Sequence, residues 1–171
     1  LIACQWAKAI GVNLIGTVGS AEKAKLARDH GAAHTIDYTK EDFVKRVEEI
    51  TGGKKVPVVY DSVGKDTFLK SLDCLQGRGL LALFGNSSGP VDALNTGLLA
   101  AKGSLYVTRP TLMGYAAKRE ELLAAAKELF DHVLAGHIKV APRQSYALKD
   151  AQQAHRDLEA RKTTGSTILV P

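Results

Sequence analysis

The chain has 171 residues, 45% of them hydrophobic and 24% charged; these are ordinary globular values that exclude a disordered tail, a collagen-like repeat and a coiled coil. Lys and Arg outnumber Asp and Glu by 23 to 18, with no basic run longer than a pair such as Lys54-Lys55. So mild and scattered an excess argues against nucleic acid as the main partner and suits a small acidic ligand such as a phosphate.

No apolar run reaches the ~18 residues of a membrane-spanning helix. Leu1-Ile2-Ala3-Cys4 has neither the Met nor the charged segment of a signal peptide. Cys4 and Cys74 form no spaced motif, which suits a reducing cytoplasm and two buried, small hydrophobic side chains. The five histidines are spread out, so no metal site is expected from this chain.

In chain order, Leu1 to Ile10 reads as a helix with Ile2, Trp6 and Ala9 on one side and Gly11 as its stop. A strand follows over Asn13 to Val18. Ser20 can cap a helix running to about His30, which Gly31 closes. His34 to Asp37 makes a short strand. Thr39 followed by Asp42 resembles a capping box and opens a helix through Thr51, with Phe43, Val47 and Ile50 inward. Val56 to Asp61 is a near-continuous apolar run, as in a parallel strand buried on both faces, with Pro57 near its start. A helix over about Lys65 to Leu75 and strands at Gly79 to Phe84 and Leu105 to Thr108 come next. The helix from about Arg119 to Ala135 is well patterned, with Leu122, Ala126, Leu129 and Val133 along one stripe and Gly136 after it. A helix at about Lys149 to Ala160 and a strand at Ser166 to Val170 end the chain. This alternation predicts an α/β fold, a doubly wound parallel sheet with right-handed crossovers.

In such a sheet the ligand sits beyond the carboxyl ends of the strands. Here those ends are Val18-Gly19-Ser20, Asp37-Tyr38, Asp61-Ser62-Val63-Gly64 and Phe84-Gly85-Asn86-Ser87-Ser88-Gly89, rich in residues that let a phosphate or ribose approach the backbone. A dinucleotide fold that binds a free ribose 2′-hydroxyl places an acid at the end of its second strand. After Val18 there is none; a small turn residue, the Ser20 hydroxyl and Lys23 one helical turn on are what a 2′-phosphate requires, whereas a carboxylate would repel it. Lys23 also reads simply as a solvated helix residue.

The strings "SAEKAKLARDHGAAHTIDY", "VVYDSVGKDTF", "SLDCLQGRGLLALFGNSSGPV", "KGSLYVTRPTL" and "LKDAQQAHRDLEARKTTGSTILVP" resemble the C-terminal half of bacterial NADPH:quinone oxidoreductases. These are the zeta-crystallin-like, zinc-independent branch of the medium-chain dehydrogenase/reductases. The resemblance covers the whole chain. It implies a Rossmann domain over residues 1–110, lacking its first strand, and a C-terminal segment over 111–171 that returns to the catalytic domain. It implies NADPH as cofactor, a quinone as substrate, a cytoplasmic homodimer joined through the edge strand near Leu105 to Thr108, and neither membrane nor nucleic acid as partner. Residue by residue, Gly19, Ser20 and Lys23 would hold the adenosine 2′-phosphate, with Tyr38 beside it. Ser62 and Gly64 would line the floor below the adenosine. Phe84, Gly85 and Ser87 would flank the nicotinamide ribose. Arg161 would reach the adenosine phosphate, although it also reads as a helix-end cation meeting the dipole. No residue is assigned as catalytic acid or base. The family's glycine-rich loop would precede Leu1, so these 171 residues alone are expected to be inactive. The rival reading is a non-catalytic dinucleotide-binding module; within the enzymes, an enoyl reductase or alcohol dehydrogenase relative stays open.

Overall fold

A computed structural model describes residues 1–171. The elements run α1 (Ile2–Ala9), β1 (Ile15–Val18), α2 (Ala21–Asp29), β2 (His34–Asp37), α3 (Phe43–Ile50), β3 (Val56–Asp61), α4 (Phe68–Asp73), β4 (Leu75–Leu83), α5 (Gly97–Ala101), β5 (Tyr106–Thr108), α6 (Leu112–Tyr115), α7 (Arg119–Leu134), β6 (Gln144–Ala147), α8 (Ala151–Glu159) and β7 (Thr167–Val170). All strand pairs are parallel: β1 with β2, β3 with β4 and β4 with β5, and β6 with β7. The first two groups are the pairings that the order 3-2-1-4-5-6 requires of strands two and three and of strands four to six.

The chain divides into two compact units, Leu1–Asp37 with Glu128–Pro171, and Tyr38–Lys127. In the first unit the Ser20 hydroxyl accepts a hydrogen bond from the Lys23 amide at 3.2 Å, which caps α2 as its sequence suggests. The buried cluster here is small: Cys4, Ala27 and Ala32, with Leu14 and Val18 packed on it. In the second unit Phe68, Leu72, Leu75, Leu81, Leu83 and Leu105 form a larger core, joined by Val56, Val59 and Val107.

Three expectations are corrected. The cap of α3 is Asp42, whose carboxylate accepts from the Val44 and Lys45 amides, because it is Asp42 that directly precedes the helix with extended backbone. β3 is not covered on both faces: it ends its three-stranded sheet, and Val58 and Tyr60 are exposed, Tyr60 by 77%. Pro57 sits at a register shift between Val56 and Val58, where its missing N–H disrupts no ladder bond. Along α7, Ala126, Leu129 and Val133 are half-buried and Leu122 is 44% exposed. Finally, α4 is shorter and β4 longer at its start than their sequence suggests, and α5, α6 and β6 have no counterpart in the sequence reading.

Candidate functional site

The nominated residues fall into two groups, one in each unit. In the first unit α2 begins directly after β1, at Gly19-Ser20, and the cap presents Lys23 on its first turn. The Lys23 amine donates to the backbone carbonyl of Arg161 at 2.8 Å, across 138 positions of sequence. Arg161 follows α8 in the left-handed region, with φ of 57°, and its amide closes onto the Leu158 carbonyl at 3.0 Å. The turn that ends α8 is therefore anchored to the first turn of α2. The Ser20 hydroxyl, the Lys23 amine and the backbone of Arg161 are brought together there, with no acid immediately after Val18. That donor set matches a phosphate, whose oxygens only accept.

The second unit holds Ser62, Gly64, Phe84, Gly85 and Ser87 on two interlocked loops. The Ser87 amide donates to the Ser62 carbonyl at 3.2 Å, the Ser88 amide to the Val63 carbonyl at 2.8 Å, and the Lys65 amide to the Gly89 carbonyl at 3.1 Å. The Ser88 hydroxyl bridges the Val63 carbonyl and the Asp66 amide. Glycine is required at two points of this interlock. A Cβ on Gly64, whose φ is +91°, would lie 2.6 Å from the Gly89 carbonyl oxygen, and one on Gly85 would lie 2.3 Å from that of Ser62. Ser62, Ser87 and the Phe84 ring stay exposed on the outside of the loops. Tyr38 follows β2 and is 44% exposed.

The sequence reading missed Asp61. It ends β3, is 5% exposed, and takes four hydrogen bonds from the turn and helix that follow it. Burial pushes its carboxyl up, but donation from Ser71, Thr67, Gly64 and Val63 outweighs this and holds it below the ordinary value. The available signal was an acid at a strand end followed by Val63-Gly64 and two hydroxyl residues, Thr67 and Ser71.

Other chemistry is not supported. Burial pushes the Cys74 thiol up to about 12, so it is no nucleophile. Residues 1–171 gather no group of three or more His, Cys, Asp or Glu able to hold a metal. Two open cavities, of about 330 and 390 Å³, are lined by none of the ten nominated residues. No helix is long and apolar enough to cross a membrane.

Residues 1–131 match the family model of the zinc-binding dehydrogenases. The chain is 62% identical to a quinone oxidoreductase of Salmonella typhimurium, over 100% of this chain and 53% of that protein. It is 46% identical to a 2-haloacrylate reductase of a Burkholderia species, over 99% of this chain and 51% of that protein. The crystal structure of Escherichia coli quinone oxidoreductase complexed with NADPH matches with a TM-score of 0.94 at 60% identity, covering 99% of this chain and 53% of that one. The chain thus spans about half the length of the curated relatives it matches.

Proposed function

The chain belongs to the zinc-binding dehydrogenase family, and from that premise we propose that it forms the NADPH-binding part of a quinone oxidoreductase. The observation that carries this reading is the phosphate-matched group after β1: a strand end without an acid, the capping Ser20, and Lys23 tied to the turn that bears Arg161. Gly19, Ser20, Lys23, Tyr38 and Arg161 would hold the adenosine end of NADPH, Ser62 and Gly64 would lie under the adenosine, and Phe84, Gly85 and Ser87 would flank the nicotinamide ribose. When bound, NADPH supplies a hydride, and a quinone or another conjugated carbonyl accepts it. The residues of this chain bind and orient; the Lys23 and Arg161 cations balance the 2′-phosphate charge, and the interlocked glycine loops keep the backbone close and fixed.

In the same reading residues 1–110 are the dinucleotide-binding domain and 111–171 return to the catalytic domain. Zinc is assigned no role, and metal analysis of the purified full-length protein tests that. Two buried, unpaired thiols, Cys4 and Cys74, suit the reducing cytoplasm in which we place the protein. Dimers would form by pairing of β5 edges, since β5 is bonded within its sheet to β4 alone.

Titration of the full-length protein with NADPH and NADH, followed by nicotinamide fluorescence, tests the reading. NADPH should bind at least about tenfold more tightly, as one charge-assisted contact predicts. Equal affinities would overturn it. The haloacrylate reductase relative favours a second substrate class, halogenated conjugated acids, so turnover should be compared on a quinone and on 2-chloroacrylate. Binding without turnover on any conjugated carbonyl would favour a non-catalytic module.

A further inference from the structure

We propose that Asp61 is a positioning residue whose carboxylate sets the shape of the Ser62-Val63-Gly64 turn and thereby the fit of the cofactor to the two interlocked loops. This inference rests on the NADPH reading above.

The two carboxylate oxygens face different partners. Oδ1 accepts from the Val63 amide at 2.7 Å and the Gly64 amide at 3.1 Å. Oδ2 accepts from the Thr67 and Ser71 hydroxyls, both at 2.7 Å. The backbone carbonyl of Asp61 accepts from the Phe84 and Gly85 amides at 2.9 and 3.3 Å. One residue thus ties the end of β3 to the turn after it, to α4, and to the start of the second loop. A carboxylate suits this place because it only accepts, and all four side-chain partners are donors. No ion pair to a Lys or Arg accompanies Asp61, so the charge is held by neutral donors, which a buried carboxylate tolerates only when fully bonded. The Oδ1 arm is the one that shapes the loop, since its donors are the amides of the turn itself. The Oδ2 arm fixes the carboxylate to α4 and leaves the turn amides untouched. The division predicts different consequences for loss of each arm.

The full-length enzyme with Asp61→Ala, Asp61→Asn and Ser71→Ala separates them. Asp61→Ala, which removes both arms, should raise KM for NADPH at least tenfold, with KM for the quinone within about twofold and kcat at saturating NADPH within about threefold. Asp61→Asn keeps an oxygen for the two amides, and the hydroxyls of Thr67 and Ser71 can rotate to accept from its NH₂ group; KM for NADPH should return to within about threefold. Ser71→Ala should lower the melting temperature and leave KM for NADPH within about twofold. If Asp61→Ala does not fold, Asp61→Glu carries the test, since the extra methylene displaces the oxygens from the turn amides; KM for NADPH should rise at least fivefold. A folded Asp61→Ala with unchanged KM for NADPH overturns the proposal. So does a Ser71→Ala that raises KM as much as Asp61→Ala, because general loosening would then suffice, and so does an Asp61→Glu with unchanged KM. If wild-type protein fails to bind NADPH at all, it is the underlying cofactor reading that falls.

Discussion

Lys23 does two things at once. Its amine donates to the Arg161 carbonyl at 2.8 Å, and in the proposed reading the same cation balances the 2′-phosphate. Replacing it with Ala removes both the charge and the anchor of the α8 turn. Replacing it with Gln keeps a donor for the carbonyl and removes only the charge. A charge-assisted hydrogen bond contributes roughly 1.5–3 kcal/mol, so both variants should bind NADPH about tenfold to a hundredfold more weakly. NADH, without the 2′-phosphate, should bind to Lys23→Gln as it does to wild type; equal losses for the two coenzymes in that variant would refute the phosphate role. At Asp61 the prediction is one of pH. Its carboxyl lies below the ordinary 3.8 when folded, so the stability it contributes is complete above 3.8 and is lost as pH falls through the folded value. Denaturant melts of wild type and Asp61→Asn should show a constant stability gap from neutral pH down to about pH 5, narrowing below 3.8. A gap that widens with acid would contradict the sign.

At the scale of elements, β5 decides assembly. It bonds to β4 alone, leaving one edge of Tyr106–Thr108 free within the sheet. An uncharged edge strand invites pairing. The apolar side chains of the segment after β5 stay open: Leu112, Met113 and Tyr115 of α6 are 78, 81 and 69% exposed. Val107 packs against the core of its unit, so a charge there would unfold the strand as well as block an edge. Tyr106, 61% exposed, is the better position. Tyr106→Lys should convert dimers to monomers in light scattering with the melting temperature little changed, and a dimer that persists would refute the edge pairing. Period and punctuation made most elements legible. His34 to Asp37 and Val56 to Asp61 stand where alternation and turn residues put them, and Ser20 caps α2 as its type suggests. What failed was burial, because an apolar pattern reports what a face could cover and not what covers it. The Val58 and Tyr60 face looks like core in sequence, yet it lies open. The candidate site shows the same division. The missing acid after Val18 could be read locally, whereas Arg161 entered only through resemblance, and its bond to Lys23 joins residues 138 apart that no local pattern links. Asp61 was overlooked because an acid closing an apolar strand looks like any turn residue until its four donors are seen.

For the whole molecule the contrast between the two units sets the order of melting. The core of Tyr38–Lys127 buries Phe68 and five leucines, and each such side chain contributes roughly 1.5–3 kcal/mol on burial. Leu1–Asp37 with Glu128–Pro171 buries Ile36 and Ile138 fully, but its other buried apolar side chains are Cys4 and alanines, so it buries less apolar surface than the leucine core. The Trp6 indole N–H in that unit is buried without a partner, which costs about 1–3 kcal/mol. Total stabilities are only roughly 5–15 kcal/mol, so a difference of this size separates the two units. Large apolar side chains also stand open along α7, with Leu134 86% and Phe130 59% exposed. Residues 1–171 prepared alone should therefore bind an apolar dye such as ANS at low temperature and melt broadly and in a concentration-dependent way. Hydrogen exchange should show amides of β1, α1 and α2 losing protection well before those of β3 and β4, because local opening follows local burial. A single sharp melt without dye binding, with uniform protection across both units, would show that the smaller core holds as firmly as the leucine core and that this ordering is wrong.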